Sequence, residues 1–151
     1  MKILFMCVAN SARSQLAEGL AQKIFGSEVE IQSAGSHPKE VNPYAIMVLK
    51  EVGIDISTNT SKSVDQLAPQ FLAGLDYVIT LCAEEVCPTL VAPTAKRRHW
   101  PFPDPAGRVG STMDRVSGNG TESAEEYLEK FRRVRDGIET KLKFFKAEIK
   151  I

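Results

Sequence analysis

The chain predicts a three-layer α/β/α fold built on a four-stranded parallel sheet, and three observations carry that expectation. Its 151 residues suffice to bury one core and are too few for two, so 1–151 reads as a single domain. Short apolar runs alternate with stretches of helical periodicity, and short connections between them favour parallel strands joined by right-handed crossovers. The opening run, Lys2-Ile3-Leu4-Phe5-Met6, is apolar without alternation, as a strand buried on both faces must be.

The elements follow in order. The first strand ends at Cys7. From Ser14, apolar residues recur at helical spacing (Leu16, Ala17, Leu20, Ala21, Ile24, Phe25), and Gly26 supplies the stop. A second strand is expected over Glu28 to Ser33, with a turn at Gly35. Asn42-Pro43 is an N-cap with a first-turn proline, opening a helix that carries Ala45, Ile46, Leu49 and Val52 and closes at Gly53. Val64, Leu67, Phe71 and Leu75 suggest a third helical stretch, disturbed by Pro69. Asp76 to Leu81 is rich in β-branched and aromatic residues and predicts a strand that runs into Cys82. A fourth strand is expected over Lys96 to Trp100, and Pro101-Phe102-Pro103-Asp104-Pro105 must be a loop. Residues 107–121 are rich in Gly, Ser, Asn and Thr and read as a flexible surface excursion. Ser123 and Glu126 have the form of a capping box ahead of a long amphipathic helix marked by Tyr127, Phe131, Val134, Ile138, Leu142 and Phe145.

Composition narrows the function. Lys plus Arg balances Asp plus Glu at 19 each, which removes the electrostatic case for nucleic acid or a membrane surface as partner. The basic cluster Arg132, Arg133 and Arg135 reads as a solvated helix face. No signal-peptide pattern and no apolar run of about 20 residues is visible, so a cytoplasmic protein is expected. Three cysteines, an odd number without the spacing of a secreted framework, then read as thiols with reactive or packing roles.

In a parallel sheet ligands gather at the carboxyl ends of the strands, and pattern alone places Cys7 and Cys82 on that same edge. The segment Cys7-Val8-Ala9-Asn10-Ser11-Ala12-Arg13-Ser14 joins a buried strand to a helix. Successive N–H groups there, together with the positive helix end, can surround a tetrahedral oxyanion. The fork of Arg13 can pair two anion oxygens, and the same positive field favours a Cys7 thiolate as nucleophile. Ser14 can donate a hydrogen bond to that thiolate, and Asn10 tolerates the left-handed backbone that lets a loop curl on itself. These residues alone leave open a thiol reductase, a phosphatase, and a non-catalytic oxyanion or redox sensor.

The same residues resemble the low-molecular-weight tyrosine phosphatase fold, and within it the thioredoxin-coupled arsenate reductases. The resemblance runs through Cys7-x5-Arg13-Ser14 with Gln15, Ala17, Glu18 and Gly19, then Ser33-Ala34-Gly35, Asn42-Pro43, Gly53-Ile54-Asp55-Ile56-Ser57 and Val78-Ile79-Thr80-Leu81-Cys82. It continues through Cys87-Pro88, His99-Trp100, Asp104-Pro105-Ala106-Gly107 and Phe131-Arg132-Arg133-Val134-Arg135. It implies that Cys7 attacks arsenate, that Asp104 protonates the leaving oxygen, and that Cys82 attacks the Cys7 adduct to release arsenite. Cys87 would then take over the disulfide for thioredoxin to reduce. No cofactor is implied.

Departures from the pattern are Ala9 for a common glycine, Ala12 for a frequent cysteine, and the close spacing of Cys82 and Cys87. Phosphatases of this fold resemble one another in placing an aromatic residue just after the Asp-Pro pair, where this chain has Ala106 and Gly107. Some relatives build a monovalent-cation site from residues matching Asn10, Glu18 and Ser33, plus an aspartate where this chain has Lys62. An ammonium can take the place of such a cation, which leaves two readings of Lys62, a partner of Glu18 in place of the cation or an ordinary surface lysine, and no firm metal site is expected.

Overall fold

The structure, a computed structural model, describes residues 1–82, 94–106 and 124–150. Strand β1 (Lys2–Cys7) leads through a loop into helix α1 (Arg13–Phe25), then β2 (Glu30–Gly35) and α2 (Pro43–Lys50). Helix α3 (Pro69–Ala73) precedes β3 (Tyr77–Thr80); β4 (Lys96–His99) and the long helix α4 (Ala124–Ile149) complete the described elements. The four strands are all parallel, in the order β2-β1-β3-β4.

That order follows from the chain's path. From β1 it crosses through α1 to β2 on one side, then returns to place β3 on the other side of β1. The crevice where successive crossovers diverge is the usual ligand position in such sheets, and here it lies at the carboxyl ends of β1 and β3, beside Cys7 and Cys82.

Alternation along the strands divides the core in two. Ile3, Phe5, Tyr77 and Ile79 face α1, α2 and α4, where they meet Leu16, Leu20, Leu49, Phe131, Ile138 and Phe145. Leu4, Met6 and Val78 face the opposite layer with Leu67, Phe71 and Leu75. Three layers result, and β1 is buried from Ile3 onward, as its unalternating apolar run requires.

Several boundaries differ from the sequence expectation. The second strand runs two residues later, because Gly26–Glu28 forms a 3₁₀ turn and pairing with β1 runs from Lys2 with Glu30 to Cys7 with Gly35. Ser33-Ala34-Gly35 thus belongs to the strand. A Cβ on Gly35 would stand 2.5 Å from the Val8 carbonyl oxygen, so only glycine permits this approach of β2 to the loop. The expected helix over residues 64–75 divides into a 3₁₀ turn at Val64–Gln66 and α3, because Pro69 starts a new helix at its N1 position. The third strand is shorter at both ends than expected, and β4 stops one residue before Trp100. Asn42 caps α2 as expected, its Oδ1 accepting the Tyr44 N–H at 2.8 Å. The 107–121 excursion and the Ser123 end of the capping box lie outside the described residues.

Candidate active site

Cys7 is a free thiol, 2% exposed, at the last position of β1. The loop it opens is hung from residues 37–42 by its carbonyls: Val8 O accepts from His37 N at 2.8 Å, Ala9 O from Lys39 N at 2.9 Å and Ser11 O from Asn42 N at 2.9 Å. Peptide planarity turns the N–H that follows each of these carbonyls to the opposite side of its peptide, away from that segment. This is the local reason that the loop presents amides and the start of α1 to one space. Asn10 makes the curl, with a left-handed φ of 48°.

A buried polar network then fixes the loop's polarity. Asn10 Oδ1 accepts the backbone N–H of Lys62 at 2.9 Å, and a backbone N–H can only donate. The Asn10 amide therefore points its Nδ2 at Ser14 Oγ (2.8 Å) and Ser33 Oγ (2.9 Å). Ser14 Oγ, one of its lone pairs engaged by Asn10, stands 2.9 Å from Cys7 Sγ, within hydrogen-bond reach of the sulfur and free to donate to it. Ser33 in turn donates to Glu18 Oε1. Lys62 Nζ lies 3.9 Å from the same carboxylate oxygen, so the expected pairing of Lys62 with Glu18 is present as a contact.

Arg13, 4% exposed, opens α1 and reaches across the sheet edge. Its Nη1 donates to Phe102 O at 3.0 Å and to Leu81 O at 3.4 Å, and its Nη2 stands 4.0 Å from Asp104 Oδ2. One guanidinium thus ties the loop to the end of β3 and to the proline-rich segment. Asp104 is about two-fifths exposed, at 38%, and its Oδ1 accepts the Ala106 N–H at 3.0 Å, so the carboxyl group sits on a turn facing the arginine. Helix α4 steadies that turn twice: Tyr127 Oη donates to Ala106 O at 3.0 Å, and the bare Cα of Gly137 accepts the Phe102 ring. Cys82 is 1% exposed and disulfide-bonded. It follows Leu81, whose N–H bonds to Met6 O at 3.0 Å, and so stands on the same edge as Cys7. Cys87 lies outside the described residues. Among the described residues no cluster of His, Cys, Asp and Glu could hold a metal ion, and no helix is long and apolar enough to cross a membrane.

Cys7, Val8, Ala9, Asn10, Ser11, Ala12, Arg13, Ser14, Asp104 and Cys82 are thus gathered at one end of the sheet. Sequence reasoning missed the parts played by Gln15, Asn59, Phe102 and Gly137. Gln15 is fully buried and bonds to Asn10, yet nothing in the spacing distinguishes it from a solvated residue of a helix's first turn. Phe102 contributes a backbone carbonyl, which leaves no side-chain signal.

A parallel α/β sheet whose switch point carries a cysteine-to-arginine loop defines the phosphatase-type oxyanion-loop class. The chain belongs within it to the low molecular weight phosphotyrosine protein phosphatase family, whose model matches residues 2–151. It is 43% identical over 147 residues to a Staphylococcus epidermidis protein named arsenate reductase 2, covering 96% of this chain and 95% of that one. A solved structure described as an arsenate reductase in the phosphate-binding state superposes with a TM-score of 0.73 at 30% identity, covering 98% of each chain. A Corynebacterium glutamicum protein described as a thioredoxin-dependent arsenate reductase gives a TM-score of 0.58 at 28% identity, over 95% of this chain and 62% of that one.

Proposed function

We propose that this chain reduces arsenate to arsenite, with Cys7 as nucleophile and a thioredoxin-type dithiol as final reductant. The observation that carries the proposal is the Cys7 site itself: a free thiol in hydrogen-bond contact with Ser14, at the head of the loop that ends in Arg13, with a second, disulfide-bonded cysteine on the same edge.

The Cys7 thiolate attacks arsenic to form a sulfur–arsenic bond, one arsenic–oxygen bond breaks, and the departing hydroxyl oxygen leaves as water with a proton from Asp104. The Cys82 thiolate then attacks Cys7 Sγ. A sulfur–sulfur bond forms, and the pair of electrons from the sulfur–arsenic bond departs with arsenic, which leaves as arsenite in the +3 state. Cys87 exchanges into that disulfide at Cys82, freeing Cys7, and the external dithiol takes the oxidation away. A free Cys7 together with a disulfide-bonded Cys82 is the pattern expected after the last internal step, and it supports this order. Backbone amides from Val8 to Ala12 and the Arg13 fork hold the oxyanion, arsenate or phosphate alike. Lys62 stands in for a monovalent cation beside Glu18. Such chemistry needs thiols kept reduced, as they are in the cytoplasm.

The test is turnover with arsenate and a thioredoxin system, compared with an aryl phosphate. Arsenite formation that depends on thioredoxin is expected. Fast aryl phosphate hydrolysis without arsenite formation would instead make the protein a phosphatase acting through a Cys7 thiophosphate.

A further inference from the structure

We propose that Gln15 and Asn59 are positioning residues for Cys7, the upstream end of a one-way chain of hydrogen bonds that holds Ser14 as a donor to the sulfur. This rests on the reading of Cys7 as the reactive thiol.

Gln15 is 0% exposed, so water cannot replace its partners. Its Nε2 faces three acceptors: Asn10 O at 3.2 Å, Asn10 Oδ1 at 3.2 Å and Thr60 O at 3.4 Å. Its Oε1 accepts from Asn59 Nδ2 at 3.1 Å. A flipped Gln15 amide would set its oxygen against three other oxygens, so only one orientation is tolerable. The direction passes from Asn59 to Gln15, from Gln15 to Asn10 and from Asn10 to Ser14, whose oxygen lies 2.9 Å from Cys7 Sγ; in the proposed chain Ser14 continues the direction across that last contact by donating to the sulfur. Each amide donates to the next group, and such aligned dipoles strengthen one another in a buried site.

Gln15 also holds both the main-chain and the side-chain oxygen of Asn10, the residue in the left-handed conformation, and so fixes backbone curl and amide orientation with one group. Asn59 has a second role, donating to Glu18 Oε2 at 3.4 Å, the carboxylate that receives Ser33. The charged groups around the chain are Arg13 and Asp104 at the sulfur end and Glu18 and Lys62 at the amide end. Substituting Gln15 or Asn59 leaves all four in place.

The experiment is alkylation of Cys7 by iodoacetamide in anion-free protein across a pH series, read by mass spectrometry of the Cys7 peptide, for wild type, Gln15→Met and Asn59→Ala. Gln15→Met keeps the volume and removes the bonds; Asn59→Ala acts from the partly exposed end and guards against a Gln15 variant that fails to fold. The expected result is a three- to tenfold slower alkylation at neutral pH in Gln15→Met, about the effect of one buried hydrogen bond, and a smaller loss in Asn59→Ala. Both profiles should move to higher pH. Profiles that overlay the wild type in the variants that fold, whatever their melting temperatures, would overturn the positioning role. A wild-type Cys7 no more reactive than a free thiol would instead remove the nucleophile on which the proposal rests.

Discussion

At the scale of the residue, Asn10, Gln15 and Asp104 are oriented by partners that can only donate or only accept. Asp104 illustrates the point: one carboxylate oxygen is held by the Ala106 N–H while the other faces Arg13, so the group is positioned without being buried. Asp104→Asn should preserve oxyanion binding and slow adduct formation by roughly 10²- to 10⁴-fold, the span of general acid catalysis. Phosphate titration and single-turnover kinetics on the same preparation check it, and adduct formation at the wild-type rate would reduce Asp104 to a turn residue. Lys62 makes a second prediction: with its ammonium already 3.9 Å from Glu18, potassium should raise the melting temperature no more than sodium at equal ionic strength. A potassium-specific rise would mean that the lysine is displaced. Cys7, Arg13 and Ser14 were legible in the sequence because a strand, a loop and a helix start stand around them in the order an oxyanion site needs. Gln15 and Asn59 were not, since a buried amide and a surface one are written with the same letters and only packing tells them apart.

At the scale of the element, the loops are held by strands and helices distant in sequence. A Cβ on Gly137 would lie 2.9 Å from the Phe102 ring, and the Phe102 carbonyl is one of the Arg13 acceptors, so the bare Cα of Gly137 lets α4 pack directly against a residue that holds the arginine. Gly137→Ala should raise the intrinsic helix propensity of α4 by about 1 kcal/mol and still lower kcat, because the ring and its carbonyl must move. Steady-state kinetics beside thermal melts would separate the two effects; unchanged kcat would show that Phe102 adjusts freely. The sequence marks α4 clearly through its apolar period, and Asn42-Pro43 places the start of α2. It misplaces β2 by two residues, because Gly35 reads as a turn until the parallel pairing of Cys7 with Gly35 is known. The Gly35 contact with the Val8 carbonyl is long-range and has no local signature.

At the scale of the whole molecule, α2 and α4 are locked by Glu51, which receives Arg132 Nε and Nη2 and, at 2.7 Å, Arg135 Nη1. Hydrogen bonding from Arg132, and then from Arg135, holds the Glu51 carboxyl below its ordinary range against the opposing effect of desolvation. Its folded value is thus below its unfolded value. The stability it contributes is complete above the unfolded carboxylate range and is lost as pH falls through the folded value. Glu51→Gln should lower the melting temperature at neutral pH by only about 1–2 °C, given the exposure of the group, and the deficit should vanish in acid. Melts from pH 2 to 7 check it, and a deficit that persists at the acid end would point to packing instead. The parallel α/β architecture was legible from alternating patterns alone; that Arg132 and Arg135 brace two helices was not, because a basic helix face looks the same whether it meets solvent or a carboxylate.

The central claim is that Cys7 passes its oxidation to Cys82 along the edge the two share, and trapping after one arsenate turnover tests it most directly. Starting from reduced protein, mass spectrometry should find Cys82 linked to Cys87 in the wild type and Cys7 linked to Cys82 in Cys87→Ser. Full thioredoxin-dependent arsenate turnover in both Cys82→Ser and Cys87→Ser, with no Cys7 to Cys82 disulfide trapped, would contradict the account.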